Sequence, residues 1–106
     1  MVEPRRIAEL VEGIAREYDP DRIILFGSYA QGTVADGSDV DLLVVMPFEG
    51  QPARKAVEML DRLDPRFSID LLVRTPEQVQ QRLAMNDFFM SEIMTTGRVL
   101  YESARR

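Results

Sequence analysis

The sequence predicts an α/β (α+β) fold, a small mixed sheet of three to four strands with helices packed on it, and three observations carry that expectation. Amphipathic stretches alternate with short apolar runs in the order helix, strand, short helix, strand, helix, strand, helices. The runs RIILF at 22–26, DVDLLVVM at 39–46 and FSIDLLV at 67–73 have the length and the branched, apolar composition of strands. The stretches between them repeat apolar residues at spacings of three and four, the period of a helix with one buried face. At 106 residues, 45% hydrophobic and 29% charged, the chain is the size of one domain, 1–106, with its own core.

The first helix is expected over 3–18. Ile7, Leu10, Val11, Ile14 and Tyr18 form its inward stripe, Pro4 suits its first turn, and Asp19-Pro20 ends it. Arg22 to Phe26 reads as a strand buried on both faces. Ser28 opens a short helix that stops at Gly32, and 35–38, Ala-Asp-Gly-Ser, is a tight turn. The second strand runs from Asp39 to Met46 and is closed by Pro47. After a linker at 49–52, Ala56, Val57, Leu60 and Leu63 mark a helix over 53–63. In the third strand Phe67, Ile69, Leu71 and Val73 share one face, and Ser68, Asp70 and Leu72 the other. Thr75-Pro76-Glu77-Gln78 is a capping box that starts a helix with Val79 and Leu83 inward, running to about Met85. A break at Asn86-Asp87 precedes a helix over 88–96, which Gly97 ends in the usual C-terminal position. Arg98 to Tyr101 adds a short final strand, and 102–106 is a polar, frayed tail.

Composition narrows the chemistry. There is no cysteine and no histidine, so disulfides, thiolate sites and Ser-His arrangements are excluded, and acid–base work falls to carboxylates. Lys55 is the only lysine, and no Gly-Lys-Ser/Thr follows a glycine loop, so the usual phosphate-binding lysine loop is absent. A net charge of -5 argues against a protein that holds nucleic acid by neutralising phosphates, and no direct nucleic-acid binding is expected. No apolar run reaches the roughly 18 to 20 residues of a membrane span, and the start of the chain lacks a signal-peptide core. A soluble, cytoplasmic protein is expected.

Within that frame, Asp39 and Asp41 stand two residues apart on an extended run, which puts both carboxylates on one face. Such a pair can share a magnesium ion, which takes hard oxygen ligands and completes its shell from water and phosphate. A third carboxylate would allow a second ion. Asp70 is the candidate, because it interrupts an apolar strand and needs water or a cation. Gly27-Ser28 precedes the pair and is the kind of turn that brings backbone amides close to a phosphate. Taken singly, Asp39 is a turn residue, Asp41 a solvent-facing strand position, Asp70 an edge-strand charge and Ser28 an N-cap. Their joint order is what carries the site. A calcium loop fails for want of alternating acids and a closing glutamate. A Ser28 nucleophile fails for want of a partner base.

The run Gly27-Ser28-Tyr29-Ala30-Gln31-Gly32 followed by Ser38-Asp39-Val40-Asp41-Leu42 resembles the signature of the DNA polymerase β-like nucleotidyltransferase superfamily. With Asp70 in a later strand and the ending from Gly97 to Glu102, the whole chain is similar to a minimal nucleotidyltransferase (MNT domain). The resemblance implies a polymerase β-like palm fold in which Gly27 and Ser28 hold the β and γ phosphates of ATP. Asp39 and Asp41 would bind two Mg2+ ions, and Asp70 would ligate the catalytic one and help deprotonate the acceptor. Gln31 stands in the nucleotide-binding stretch where the family often has arginine, which removes a positive charge near the triphosphate.

The resemblance also implies a partner. Minimal proteins of this family commonly serve as the antitoxin of a HEPN-domain toxin and, where active, transfer AMP to one of its tyrosines. If the chain is similar to them, it is expected to carry no acceptor domain of its own, and Phe88, Phe89, Met90 and Ile93 form an apolar cluster that suits either a partner or the core. The alternative is a catalytically weak or inactive protein that neutralises its partner by binding alone. Transfer to a small molecule or an RNA end is the weakest reading, because such enzymes usually carry an extra domain.

Overall fold

The computed structural model of the protein describes residues 1–104. Helix α1, Pro4–Tyr18, buries Ile7, Leu10, Val11 and Ile14, as its stripe requires. It leads into β1, Arg22–Phe26, in which every residue but the first is buried. Helix α2, Ser28–Gln31, is one turn long, and Gly27 rather than Ser28 stands at its N-cap. Strand β2, Val40–Val45, helix α3, Pro52–Leu63, and strand β3, Ile69–Arg74, follow. Helices α4, Pro76–Ala84, and α5, Phe88–Thr96, precede strand β4, Arg98–Glu102.

The strands form one sheet in the order β3-β2-β1-β4. Strand β1 is antiparallel to β2 and to β4, whereas β2 and β3 are parallel, so the sheet is mixed. The parallel pair is joined through α3, since a parallel neighbour needs a connection long enough to return to the starting end. Strands β1 and β2 are central and are apolar except at Arg22 and Asp41, which is what covering on both faces demands.

Alternation along the strands divides the interior in two. Ile23, Leu25, Val40, Leu42, Val44, Leu71 and Val73 pack with α1 and α3 in the larger core. Ile24, Phe26, Leu43 and Val45 pack with Val79 of α4 and with Met90 and Ile93 of α5 in the smaller one. Asp41 and Asp70 alternate with residues of the larger core, so they belong to the α4–α5 side of the sheet.

Three expectations change. In α3 the buried stripe runs through Ala56 and Met59, and Val57 is 67% exposed; at about 100° per residue it falls just beyond the edge of the stripe, and Met59 takes its place. Gly97 follows α5 in extended conformation, φ -71°, so no left-handed turn selects it. A Cβ there would meet the Ile93 carbonyl oxygen at 2.5 Å and Ile24 Cγ2 at 2.6 Å, so the glycine is needed for space where α5 turns back onto the sheet. The tail is less loose than its polarity suggests, because Glu102 belongs to β4 and Ser103 is buried with its amide donating to the Asp21 carbonyl at 3.0 Å. The remainder of that tail, 105–106, lies outside the described residues.

Candidate active site

The site begins where β1 ends. Gly27 has φ +74°, a conformation that L side chains rarely adopt, and a Cβ on it would fall on Oδ2 of Asp41. The Asp41 carboxylate therefore lies against a bare Cα, and only glycine meets both demands. From there the chain winds directly into α2, where the amides of Ala30 and Gln31 each donate to the Gly27 carbonyl at 3.1 Å. The Ser28 carbonyl accepts from the amides of Gly32 and Thr33, which closes the turn with backbone alone.

The carboxylates are arranged by strand register. Asp41 pairs laterally with Phe26 of β1 and with Asp70 of β3. One rung nearer the strand ends, the Val40 amide donates to the Ser68 carbonyl at 3.1 Å, and the Ser68 hydroxyl donates to Oδ1 of Asp39. Asp39 thus has a neutral donor beside it, whereas Asp41 has another acid. Partial burial holds the Asp41 carboxyl above the usual carboxylate range, and the charges of Asp70 and then Asp39 push it further in the same direction. Asp70 is exposed on an edge strand, so water already meets part of its need.

Among the described residues, no ion pair reaches Asp39, Asp41 or Asp70. Hard oxygen donors whose negative charge lacks a counter-ion suit a divalent cation such as magnesium. The arrangement is nevertheless open, and no group of three acidic side chains among the described residues closes into a finished cation site. Magnesium commonly takes only one or two carboxylates from protein and the rest from phosphate and water, so an open arrangement is compatible with it.

A cleft of about 300 Å³ lies over this corner, lined by Phe26, Gly27, Gln31, Asp41 and Asp70 on the sheet side and by Phe89, Glu92, Ile93 and Thr96 of α5. Gly27, Gln31, Asp41 and Asp70 are thereby brought together. Asp39 sits one rung away, within electrostatic reach of Asp41, and Ser28 lies in α2 without lining the cleft. The α5 wall was not foreseen as part of the site. Its members fall at the helical spacing 89, 92, 93, 96, which marks one face, but that spacing does not say which side of the sheet the face will cover. A larger cavity of about 560 Å³ between α1, α2 and β4 is mostly apolar and holds none of the three aspartates, which leaves the smaller cleft as the candidate site.

Met90 and Ile93 of the apolar cluster are core, while Phe88 and Phe89 are 79% and 52% exposed. The Phe89 ring is steadied edge-on against Phe26, with centroids 5.8 Å apart.

The family model described as nucleotidyltransferase domain matches residues 7–93. A Methanocaldococcus jannaschii protein provisionally named a protein adenylyltransferase is 30% identical over 105 residues, 95% of this chain and 100% of the relative. The crystal structure of a provisionally named nucleotidyltransferase from Sulfolobus solfataricus superposes with a TM-score of 0.65 at 20% identity, covering 92% of this chain and 78% of that one. A crystal structure described as the toxin–antitoxin with AMP-PNP superposes with a TM-score of 0.57 at 23% identity, covering 92% and 75%. At these identities the structural likeness establishes the fold.

Proposed function

Since the chain belongs to the nucleotidyltransferase domain family, we propose that it is a magnesium-dependent protein adenylyltransferase, the antitoxin of a HEPN-domain toxin, that moves AMP from ATP to a tyrosine of that partner. The observation that carries this reading is the Asp41–Asp70 rung beside Gly27: two adjacent carboxylates that, among the described residues, no side-chain cation pairs, next to a turn built from backbone. The M. jannaschii relative's name supports the reaction class, and the toxin–antitoxin neighbour supports a protein partner.

In this reading Gly27 and Ser28 hold the β and γ phosphates, and Gln31 reaches the triphosphate with a neutral amide donor. Asp39 and Asp41 would hold two magnesium ions, and Asp70 would help hold the catalytic one. Bound magnesium would supply positive charge to the triphosphate and to the leaving pyrophosphate. Asp70, exposed at the cleft, accepts the phenolic proton as the tyrosine oxygen bonds to the α-phosphorus and the bond to the β-phosphate oxygen breaks. The α5 wall excludes part of the water from that side. Phe89, which lines the cleft, and its chain neighbour Phe88 are exposed apolar residues, and suit the approach of a partner that brings the acceptor with it.

The test is transfer of label from α-phosphate-labelled ATP to the co-expressed partner. Label is expected on the partner with the unaltered chain, and loss of at least about 100-fold with Asp39→Asn combined with Asp41→Asn. Equal labelling by the doubly substituted chain sinks the assignment. The neutral Gln31 favours one second reading, inhibition by binding alone. It predicts full suppression of the partner by the doubly substituted chain and no label from either protein.

A further inference from the structure

The hydroxyl of Ser68, an exposed residue immediately before the edge strand β3, donates to Oδ1 of Asp39. We propose that Ser68 is a positioning residue for the cation site: its bond to Oδ1 orients the Asp39 carboxylate and would favour Oδ2 as the oxygen offered to magnesium. The inference rests on the reading of Asp39 as a metal ligand and adds to it a residue and a preference among cations.

Three features support it. Ser68 immediately precedes β3 and stands two residues before Asp70, so the segment that brings the third carboxylate also brings the donor for the first. The Val40 amide to Ser68 carbonyl bond fixes the two strands at that rung, so the hydroxyl is not needed to hold the register. The donor is also neutral. A lysine or arginine there would satisfy Asp39 equally well, but its charge would compete with the cation, whereas a hydroxyl orients the carboxylate and leaves its charge in place.

The chemical consequence is selectivity. A hydrogen bond to one carboxylate oxygen weakens that oxygen as a ligand and favours coordination through the other, which suits the strict octahedron of magnesium. Calcium accepts bidentate carboxylates and more ligands. Freed of Ser68, Asp39 can turn or bind through both oxygens, which penalises magnesium more than calcium.

Calorimetric titration of Mg2+ and of Ca2+, each in the presence of a non-hydrolysable ATP analogue, tests this on the intact chain and on Ser68→Ala, Ser68→Thr and the Asp39→Asn, Asp41→Asn double variant. The expected result is a loss of Mg2+ affinity of about 10- to 100-fold in Ser68→Ala, a smaller loss for Ca2+, and recovery in Ser68→Thr, which keeps the hydroxyl. Thermal melts identify a variant whose fold has changed, and Ser68→Thr provides the folded comparison. Mg2+ affinity in Ser68→Ala equal to that of the intact chain overturns the inference, as does equal loss of both cations, while leaving the parent reading standing. If the intact chain binds neither cation better than the double variant does, the parent reading falls and this inference falls with it.

Discussion

At the scale of single residues, the fold keeps Asp41 in a place that costs stability. Its carboxyl is raised by burial and by two neighbouring acids, so the folded state holds its proton to higher pH than the unfolded chain does. The sign follows from linkage: stability contributed by this group falls as pH rises from the unfolded value through the raised folded one, and the full cost is present at neutral pH. Asp41→Asn should therefore raise Tm at pH 7 without divalent cations, by about 2–4 °C given that solvent screens a half-buried group. The gain should vanish in melts at about pH 3, where both forms are protonated. Gly27→Ala should act in the opposite direction, costing about 1–3 kcal/mol by denaturant titration because the added methyl meets both an unfavourable φ and the Asp41 carboxylate. The aspartates were legible in the sequence because period-two alternation fixes their face. The bond from Ser68 to Asp39 was not, because it depends on the parallel register of β2 and β3, which no local pattern states.

Among the elements, α5 links packing to the cleft most directly. Its start is encoded locally: the Asp87 side chain accepts from the Met90 amide, and Asp87 also pairs with Arg82 of α4 at 3.4 Å. The Thr75–Gln78 capping box at the head of α4 forms in full, so both helix starts could be read from a few adjacent residues. The sequence did not disclose that α4 and α5 share the sheet face that carries the aspartates. That choice is made by the handedness and length of the connections, and it turns Phe89, Glu92 and Thr96 into a wall of the site. Asp87→Ala removes one cap and one ion pair and should cost about 1 kcal/mol. Because the lost interactions fix the end of α5 nearest Phe89, amide exchange across 88–92 should quicken and, on the proposed reading, KM for ATP should rise, with the exchange of β1 and β2 amides lowered in protection only by the global loss. Unchanged exchange in α5 would show that the wall does not depend on its cap.

For the whole molecule, the question is whether two cores on opposite faces of one sheet behave as a single cooperative unit. Strands β1 and β2 belong to both: Ile23 and Leu25 face α1 and α3, while Ile24 and Phe26 face α4 and α5. Losing either layer exposes the back of the same strands, so neither core is expected to persist without the other. The chain carries its own probe for this. There is no tryptophan, and Tyr18, Tyr29 and Tyr101 all pack against the α1–α3 core. Tyrosine fluorescence thus reports one face, whereas Ile93, 2% exposed, belongs to the other. Ile93→Val removes one buried methyl group and should cost about 1 kcal/mol, or roughly 4–8 °C in Tm for a chain of this size. In a single cooperative domain the tyrosine signal and the helical circular dichroism must fall together and shift by the same amount, although no tyrosine lies in the altered core. A tyrosine transition that stays in place while the helical one moves would divide the molecule at its sheet, and the reading of 1–106 as one domain would be wrong.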